Sequence, residues 1–547
     1  MTVKILVLVG YFIVVLFIGF ITKTRLTSSP ETYFLADRKL NTLVLMGTMV
    51  ATNFSAFTVF GTSGAGYRDG YAFFPIMGFG TGFMALTFWV LGRKIWQAGR
   101  EKNILTPPEL VKTLYDSPVL SLIFSLIMIL FTIPYLALQP MAAGYALEAL
   151  VGLPYVYGCI LVTAIILLYT LRGGLRAVAW TDLFQGAFML ALLLAALIMV
   201  ADHHGGFIEA NRKVMALKPA LFSRPGAAGR YTYGIWFSYI MLWFFCDPMF
   251  PQLFQRFFSA RSERALTRTM LFYPLICSVV FFLPIAVGVL GHLSFPDLVG
   301  KEADRILPMV LTLISGDFMA ALVLAAGLAA LMSTMDSQLL TLSALFTRDL
   351  LPLLVKKNIR TSLGGRVFVI CLSLTGLLLA YKPPATILQI ATQTFTGLAV
   401  LFPTVLFGLY LKRVYAAAAL VSIIGGEALL VAFYLKRLPS GPFLPVVWIM
   451  LAAFSLYLLV HAACRLQQTG ILFARPVRRV SRHMLSMTLI FVLGMDYWAW
   501  GAYRPNLWGM PVWIGYFLLL SALQTLGMIF MVRTALPAKS HATAPPS

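Results

Sequence analysis

Runs of about 17 to 25 apolar residues recur along this chain, and no Lys or Arg lies inside any of them. In hydrocarbon every backbone amide and carbonyl must be paired within its own segment, so runs of this length and continuity fold as membrane-spanning helices. A β-barrel needs alternating segments of about ten residues, whereas these runs are unbroken and rich in Leu, Ala, Ile and Phe. We place fifteen spans: 5–21, 43–63, 73–92, 119–139, 154–171, 177–200, 233–253, 270–292, 317–345, 366–382, 386–411, 414–435, 443–463, 484–500 and 511–532. Only 11% of the 547 residues are charged and 60% are apolar, against about 25% and 45–50% in a soluble domain. The expectation is an all-α polytopic membrane protein whose first partner is the lipid bilayer.

Lys and Arg number 42 against 20 Asp and Glu, a net charge of +22. On a soluble protein that excess suggests nucleic acid. Here 29 of the 42 fall in alternate loops once the N-terminus is set outside, which is the positive-inside pattern of a cell-membrane protein with a cytoplasmic C-terminus. No nucleic-acid partner is expected. The first span lacks a small-residue cleavage site and reads as a retained helix. Cys159, Cys246, Cys277, Cys371 and Cys464 lie in or at the ends of spans without paired spacing, as small core residues do. The stretch 533–547, rich in Pro, Ala and Ser, reads as a disordered cytoplasmic tail with no soluble domain attached.

Two spans contain their own breaks. The second reads MVATNFSAFTVFGTSGAG, where Thr52, Asn53 and Ser55 compete for backbone hydrogen bonds and glycines follow. The seventh reads WFFCDPMFPQLFQRFF, where Pro248 and Pro251 each remove an amide donor. Unwound backbone at membrane depth survives only when buried or lining a polar cavity. The two breaks lie five spans apart, hence in helices of opposite direction, as in the first helices of two inverted five-helix repeats. The organisation expected is an extra helix and loop (1–42), a first repeat (43–200), an outer loop (201–232), a second repeat (233–411), additional helices (412–532) and the tail.

Span nine reads AAGLAALMSTMDSQLLTLS. At 100° per residue Ala330, Ser333, Thr334, Ser337 and Thr341 share one face, a stripe of neutral oxygens. With carbonyls freed at the first break, it offers a hard-oxygen cage suited to a monovalent cation. Acids at membrane depth are Asp182, Asp247, Asp336, Glu427 and Asp496. Asp182 is assigned to ion handling or coupling over a structural hydrogen bond near the interface; Asp336 flanks the cage and suits a supporting role or a second ion as well as a structural pairing; Glu427 and Asp496 are assigned to helix packing or protonated burial.

The runs ATNFSAFTVFG at 51–61, RGGLRAVAWTDLFQGAF at 172–188, FQRFFSARS at 254–262 and LAALMSTMDSQLL at 328–340 resemble, in order, the sodium:solute symporter family. The resemblance implies a ten-helix core of two inverted repeats, one helix before it and several after. It implies a sodium ion held by the carbonyls of Ala51, Phe54 and Ala330 and the hydroxyls of Ser333 and Thr334. In members with a second sodium, Asp182 and a serine near Ser337 look like its ligands, with Asp336 here at a position often filled by serine. Proline transporters carry Asp where Asn53 stands, and sugar transporters carry Gln or Glu near Phe57 and Thr58, so neither specificity carries over. The solute is expected against the broken helices, near Ser55, Thr58, Phe74, Gln139, Phe245 and Gln393, although Gln139 and Gln393 equally suit pairing with local backbone.

The function that follows is sodium-coupled symport of a small polar organic solute, of the amino acid, carboxylate or sugar class, by alternating access. The alternative is a membrane solute sensor that keeps the symporter fold. An enzyme is not expected: His203, His204 and His483 lie in loops, His292 and His461 at span ends and His541 in the tail, and no HExxH or cofactor motif occurs.

Overall fold

The helix that begins at Thr42, capped by the Asn41 side chain, stops at Asn53. Phe54 leaves helical geometry at φ −90° and ψ 89°, and the chain resumes through a wide turn at Phe57–Gly61 into Thr62–Asp69. The two pieces are bent by 59°. The second break follows its prolines: Tyr233–Cys246 gives way to a single tight turn, Asp247–Met249, then Phe250 is extended at ψ 123° before helix Pro251–Ser259. Both interruptions expected from the sequence are therefore present. A short parallel bridge joins Leu40, ahead of the first broken helix, to Ala260, just past the second. The start of one lies beside the end of the other, so the two run in opposite directions.

This computed structural model describes residues 2–22, 29–227, 229–354, 361–383, 385–469, 482–496, 500 and 505–535. The expected disorder of the tail thus falls, from residue 536 onward, outside the described residues. In chain order the elements used below are α1 (Thr2–Ile21), α2 (Thr42–Asn53), α3 (Thr62–Asp69), α4 (Pro75–Glu101), α5 (Pro118–Val151), α6 (Tyr155–Leu171), α7 (Gly174–His203), α8 (Tyr233–Cys246), α9 (Pro251–Ser259), α10 (Glu263–Leu290), α11 (Asp317–Leu345), α12 (Ile387–Ala399), α13 (Ala416–Tyr434), α14 (Pro445–Thr469), α15 (Arg482–Gly494) and α16 (Val512–Ala535). Eleven helices among the described residues are long and apolar enough to cross a membrane, and the bent pair α2–α3 makes a twelfth. The other three expected spans fall on shorter helices: α6, the broken pair α8–α9, and Leu485–Gly494 within α15.

Burial grades the helices by position. From Ala320 onward α11 is almost wholly buried, and it packs most extensively against the long α6–α7 rod, which kinks at Gly174, where φ is +62°. By contrast α1 leaves most of its surface exposed, as a peripheral helix facing lipid does. Close approach demands glycine where α10 crosses α3: a Cβ at Gly288 would stand 2.0 Å from the Ser63 carbonyl. At the far end of α3, Arg68 pairs with Asp304 (2.8 Å), whose other oxygen accepts the Ile387 amide at the start of α12 (3.0 Å). Burial pushes the Asp304 carboxyl up, against the pull of Arg68.

Of the two acids assigned to helix packing or protonated burial, Asp496 takes part in packing. Arg224, within the segment read as an outer loop, is completely buried, and it donates from Nε and Nη2 to the two oxygens of Asp496 at 2.7 and 2.6 Å. Asp496 is therefore one half of a two-pronged ion pair rather than an isolated buried acid. The guanidinium lies under Trp236, Trp500, Trp513 and Phe517, so the pair docks the C-terminal hairpin α15–α16 onto the segment before α8. Glu427 is half-buried on α13, away from the site below.

Candidate functional site

Ser333 and Thr334 stand on the face of α11 that meets the end of α2. Ser333 Oγ donates to the carbonyls of Ala51 (2.9 Å) and Ala330 (3.0 Å), and Thr334 Oγ1 to those of Thr52 (3.0 Å) and Ala330 (3.2 Å). The bonds to Ala330 are the local back-bonds of a hydroxyl on a helix. The bonds to Ala51 and Thr52 are different: α2 ends at Asn53 and leaves its last carbonyls without intrahelical donors. Five oxygens from buried residues thus converge. Phe54 lies buried at the break, but the hydroxyl contacts go to Thr52 in its place.

One turn along α11 a charged cluster closes over the same helix end. Asp182 Oδ2 accepts from Thr48 Oγ1 (2.5 Å), Thr52 Oγ1 (3.2 Å) and Arg256 Nη2 (3.4 Å). That Nη2 also donates to Ser337 Oγ at 2.6 Å, and Ser337 Oγ lies 3.1 Å from Thr52 Oγ1. Arg256 further contacts Thr48 Oγ1 and, through Nη1, the Gln252 carbonyl. Neither Asp182 nor Arg256 is exposed at all. Asp182 and Ser337 are therefore brought together, and a fixed cation lies on them. Asp336 turns away and accepts from Tyr169 (3.0 Å), beside the cluster without joining it. The stripe continues to Thr341, which bonds Gln255 of α9.

Arg256 is the residue that sequence reading missed. The seventh span was ended at residue 253, which put Arg256 in a loop, whereas α9 continues to Ser259 inside the protein. A signal was available: Gln252, Gln255, Arg256 and Ser259 recur at helical spacing among Phe254, Phe257 and Phe258.

Next to the oxygens, both breaks open on one cavity with room for about one water, lined by Asn53, Phe57, Thr58, Met77, Thr81, Tyr135, Trp243, Asp247, Phe250, Phe281 and Phe395. Aromatic rings meet across it, with centroids 4.7 Å apart for Phe250–Phe395 and 4.8 Å for Tyr135–Phe395. Of the solute residues expected from sequence, Thr58 lines this cavity. Ser55 is not among the lining residues; its Oγ accepts the amide of Phe57, which is, at 3.2 Å. Gln139 is used by the break itself: its Oε1 accepts the Ala56 amide at 3.1 Å. Phe74 packs edge-on against Phe282, Phe245 packs against Phe402 and Phe454, and Gln393 is exposed, so these three lie off the cavity. Trp243 and Asp247 of the second break and Tyr135 of α5 take their place.

The family model of the sodium:solute symporter family matches residues 33–426, which hold both breaks, the oxygen stripe and the charged cluster. The chain belongs to the sodium:solute symporter family. Membership makes sodium the coupling ion and a transported small solute the cargo of this multi-pass membrane protein. Similar proteins include a sodium/pantothenate symporter of Escherichia coli, 30% identical over 82% of this symporter and 95% of the relative. A sodium/proline symporter of Staphylococcus saprophyticus is 26% identical over 80% and 87%. Among solved structures, a Na+-coupled sialic acid symporter superposes with a TM-score of 0.70 at 21% identity, covering 83% of this chain and 96% of that one. A nucleobase-cation-symport-1 family transporter gives 0.57 at 15%, covering 82% and 98%. At those identities the likeness shows a shared fold, and the family and relatives are transporters rather than enzymes.

Proposed function

We propose that this symporter imports a small polar organic solute, bound between the two breaks by the walls of this cavity once the helices part to enlarge it, with sodium bound by the carbonyls of Ala51, Phe54 and Ala330 and the hydroxyls of Ser333 and Thr334. The observation that carries the reading is the pair of hydroxyls already aimed across to the carbonyls at the end of α2. Rotating two hydroxyl hydrogens away turns that contact into a set of oxygens facing one point, with no net charge to hold the ion too long. Inward sodium flow then supplies about 2.3 kcal/mol per 100 mV, besides its concentration gradient, to accumulate the solute. The frame is fifteen spans, with a ten-helix core of two inverted repeats, the N-terminus outside and the C-terminus in the cytoplasm. Antiparallel broken helices and the positive loops support it. Asp182, Ser337 and Asp336 act in coupling, with the Arg256 guanidinium supplying the positive charge that a second sodium supplies elsewhere.

The test is Ser333→Ala with Thr334→Ala, which deletes two of about five oxygens without adding bulk. Sodium affinity, read by sodium-dependent thermal stabilisation of purified protein, is expected to fall at least about tenfold, or 1.4 kcal/mol. A double variant that keeps the parental sodium response in both stability and uptake would mean that the ion binds elsewhere.

A further inference from the structure

The solute cavity contains one acidic side chain, and no basic residue in its wall balances it. Asp247 begins the tight turn of the second break, is 2% exposed, and is the only ionisable carboxylate among the lining residues, which include no Lys, Arg or His. Among the described residues it forms no ion pair. Its side chain accepts from a neutral group, the thiol of its neighbour Cys246, which donates to Oδ1 at 3.3 Å, while Asn53 of the first break, on the same cavity, donates to Tyr273 at 2.6 Å. Every other carboxylate of the described core discussed above has a strong partner or lies off the cavity. Asp182 has Arg256, Asp496 has Arg224 and Asp304 has Arg68.

The remaining polar groups of the wall are also waiting. Thr58 Oγ1, Thr81 Oγ1 and the Trp243 indole nitrogen are buried and make no hydrogen bond among the described residues. Buried polar atoms left without partners cost about 1–3 kcal/mol each, so three on one cavity point to a ligand that satisfies them. Apart from Asn53 and Met77, the rest of the wall is aromatic: Phe57, Tyr135, Trp243, Phe250, Phe281 and Phe395. A carboxylate with aromatic rings around it suits a cationic nitrogen, because the acid can supply charge and the rings a negative quadrupole. The indole N–H can only donate, so it calls for an acceptor oxygen on the same ligand.

We propose that the solute carries a protonated amine that pairs with Asp247, together with an acceptor oxygen that meets Trp243 and the two threonines: an amino acid or a similar zwitterion. The proposal rests on the reading of this cavity as the solute site. It also separates the chain from its sodium/pantothenate relative, since an anion without an amine would bring a second negative charge against a buried carboxylate that has no basic neighbour in the cavity wall.

The experiment uses purified full-length protein, with sodium or potassium as the salt, and measures ligand affinity by thermal shift and calorimetry. The probes are the common L-amino acids, their 2-hydroxy acid counterparts, in which oxygen replaces the amine, and pantothenate. At least one amino acid is expected to bind in sodium at least about tenfold more tightly than its hydroxy acid, with pantothenate silent. Asp247→Asn is expected to erase that preference while sodium alone still stabilises the protein, and Asp247→Glu, which keeps the charge, to retain it. Hydroxy acids or pantothenate binding as tightly as any amine, no sodium-dependent binding by any amine, or an unchanged preference in Asp247→Asn each overturn the proposal. Amine binding that survives Thr58→Trp, with the preference still set by residue 247, would instead overturn the placement of the solute. The charge argument and the site are thus tested apart.

Discussion

Replacing Arg256 with methionine keeps most of the side-chain volume and removes the guanidinium, which leaves Asp182 as a fully buried carboxylate with only the Thr48 and Thr52 hydroxyls to hold it. Removing one partner of a buried ion pair costs about 3–5 kcal/mol, most of it the penalty of the charge left behind. Here the loss falls at the upper end, because Arg256 also donates to Thr48, Ser337 and the Gln252 carbonyl. The remaining oxygens of Asp182, Thr48, Thr52 and Ser337 then form a negatively charged cage for a small cation. The variant should be strongly destabilised in potassium and regain part of the loss as sodium is raised, with a steeper sodium dependence than the parent. Combining it with Asp182→Asn removes the orphaned charge, so the double variant should be more stable in potassium than Arg256→Met alone. Thermal unfolding of purified protein across a sodium series, run as a double-mutant cycle, measures both effects. If Arg256→Met melts like the parent, or if Asp182→Asn deepens the loss, the ion pair is not what holds this cluster together.

Thr58→Trp places bulk in the cavity one turn beyond the proposed sodium oxygens, so uptake should disappear while sodium still stabilises the protein; normal uptake would place residue 58 outside the solute path. Arg224→Met should cost about 3–5 kcal/mol by stranding Asp496 beneath its aromatic cover, and Arg224→Met with Asp496→Asn should recover part of it. A small effect of the single variant in thermal unfolding would show that the C-terminal hairpin docks without that pair.

How far the sequence could be read depended on whether a feature was local. Both helix breaks were legible because Thr52, Asn53 and Ser55 in one case and Pro248 and Pro251 in the other act on their own backbone. The stripe on α11 was legible because helical period alone puts Ser333, Thr334, Ser337 and Thr341 on one face. What these residues meet was not local. That Thr334 reaches Thr52 depends on how α2 and α11 pack across 282 positions of chain. Arg256 was misplaced for a related reason. Span boundaries were drawn where the first charge appeared, but a charge paired inside a protein does not end a buried helix. Phe74, Phe245 and Gln393 fell away from the cavity because aromatic or polar character on a span does not say which neighbour its side chain will face.

The placement of these residues also suggests how ion and solute are coupled. In the proposed cycle Ala51 and Phe54 turn their carbonyls to the ion, while Asn53, Phe57 and Thr58 of the same break face the cavity. The ion and solute contacts therefore share one unwound segment, and a shift that draws in the carbonyls must also move the cavity wall. Linkage makes this reciprocal: if sodium orders the break so that solute binds more tightly, solute must tighten sodium by the same factor. The Arg256 cluster adds a second tie, because Thr52 serves both groups at once, its carbonyl accepting from Thr334 and its hydroxyl contacting Asp182 and Ser337. Movement of the end of α2 therefore cannot rearrange the sodium oxygens without also disturbing a buried salt bridge.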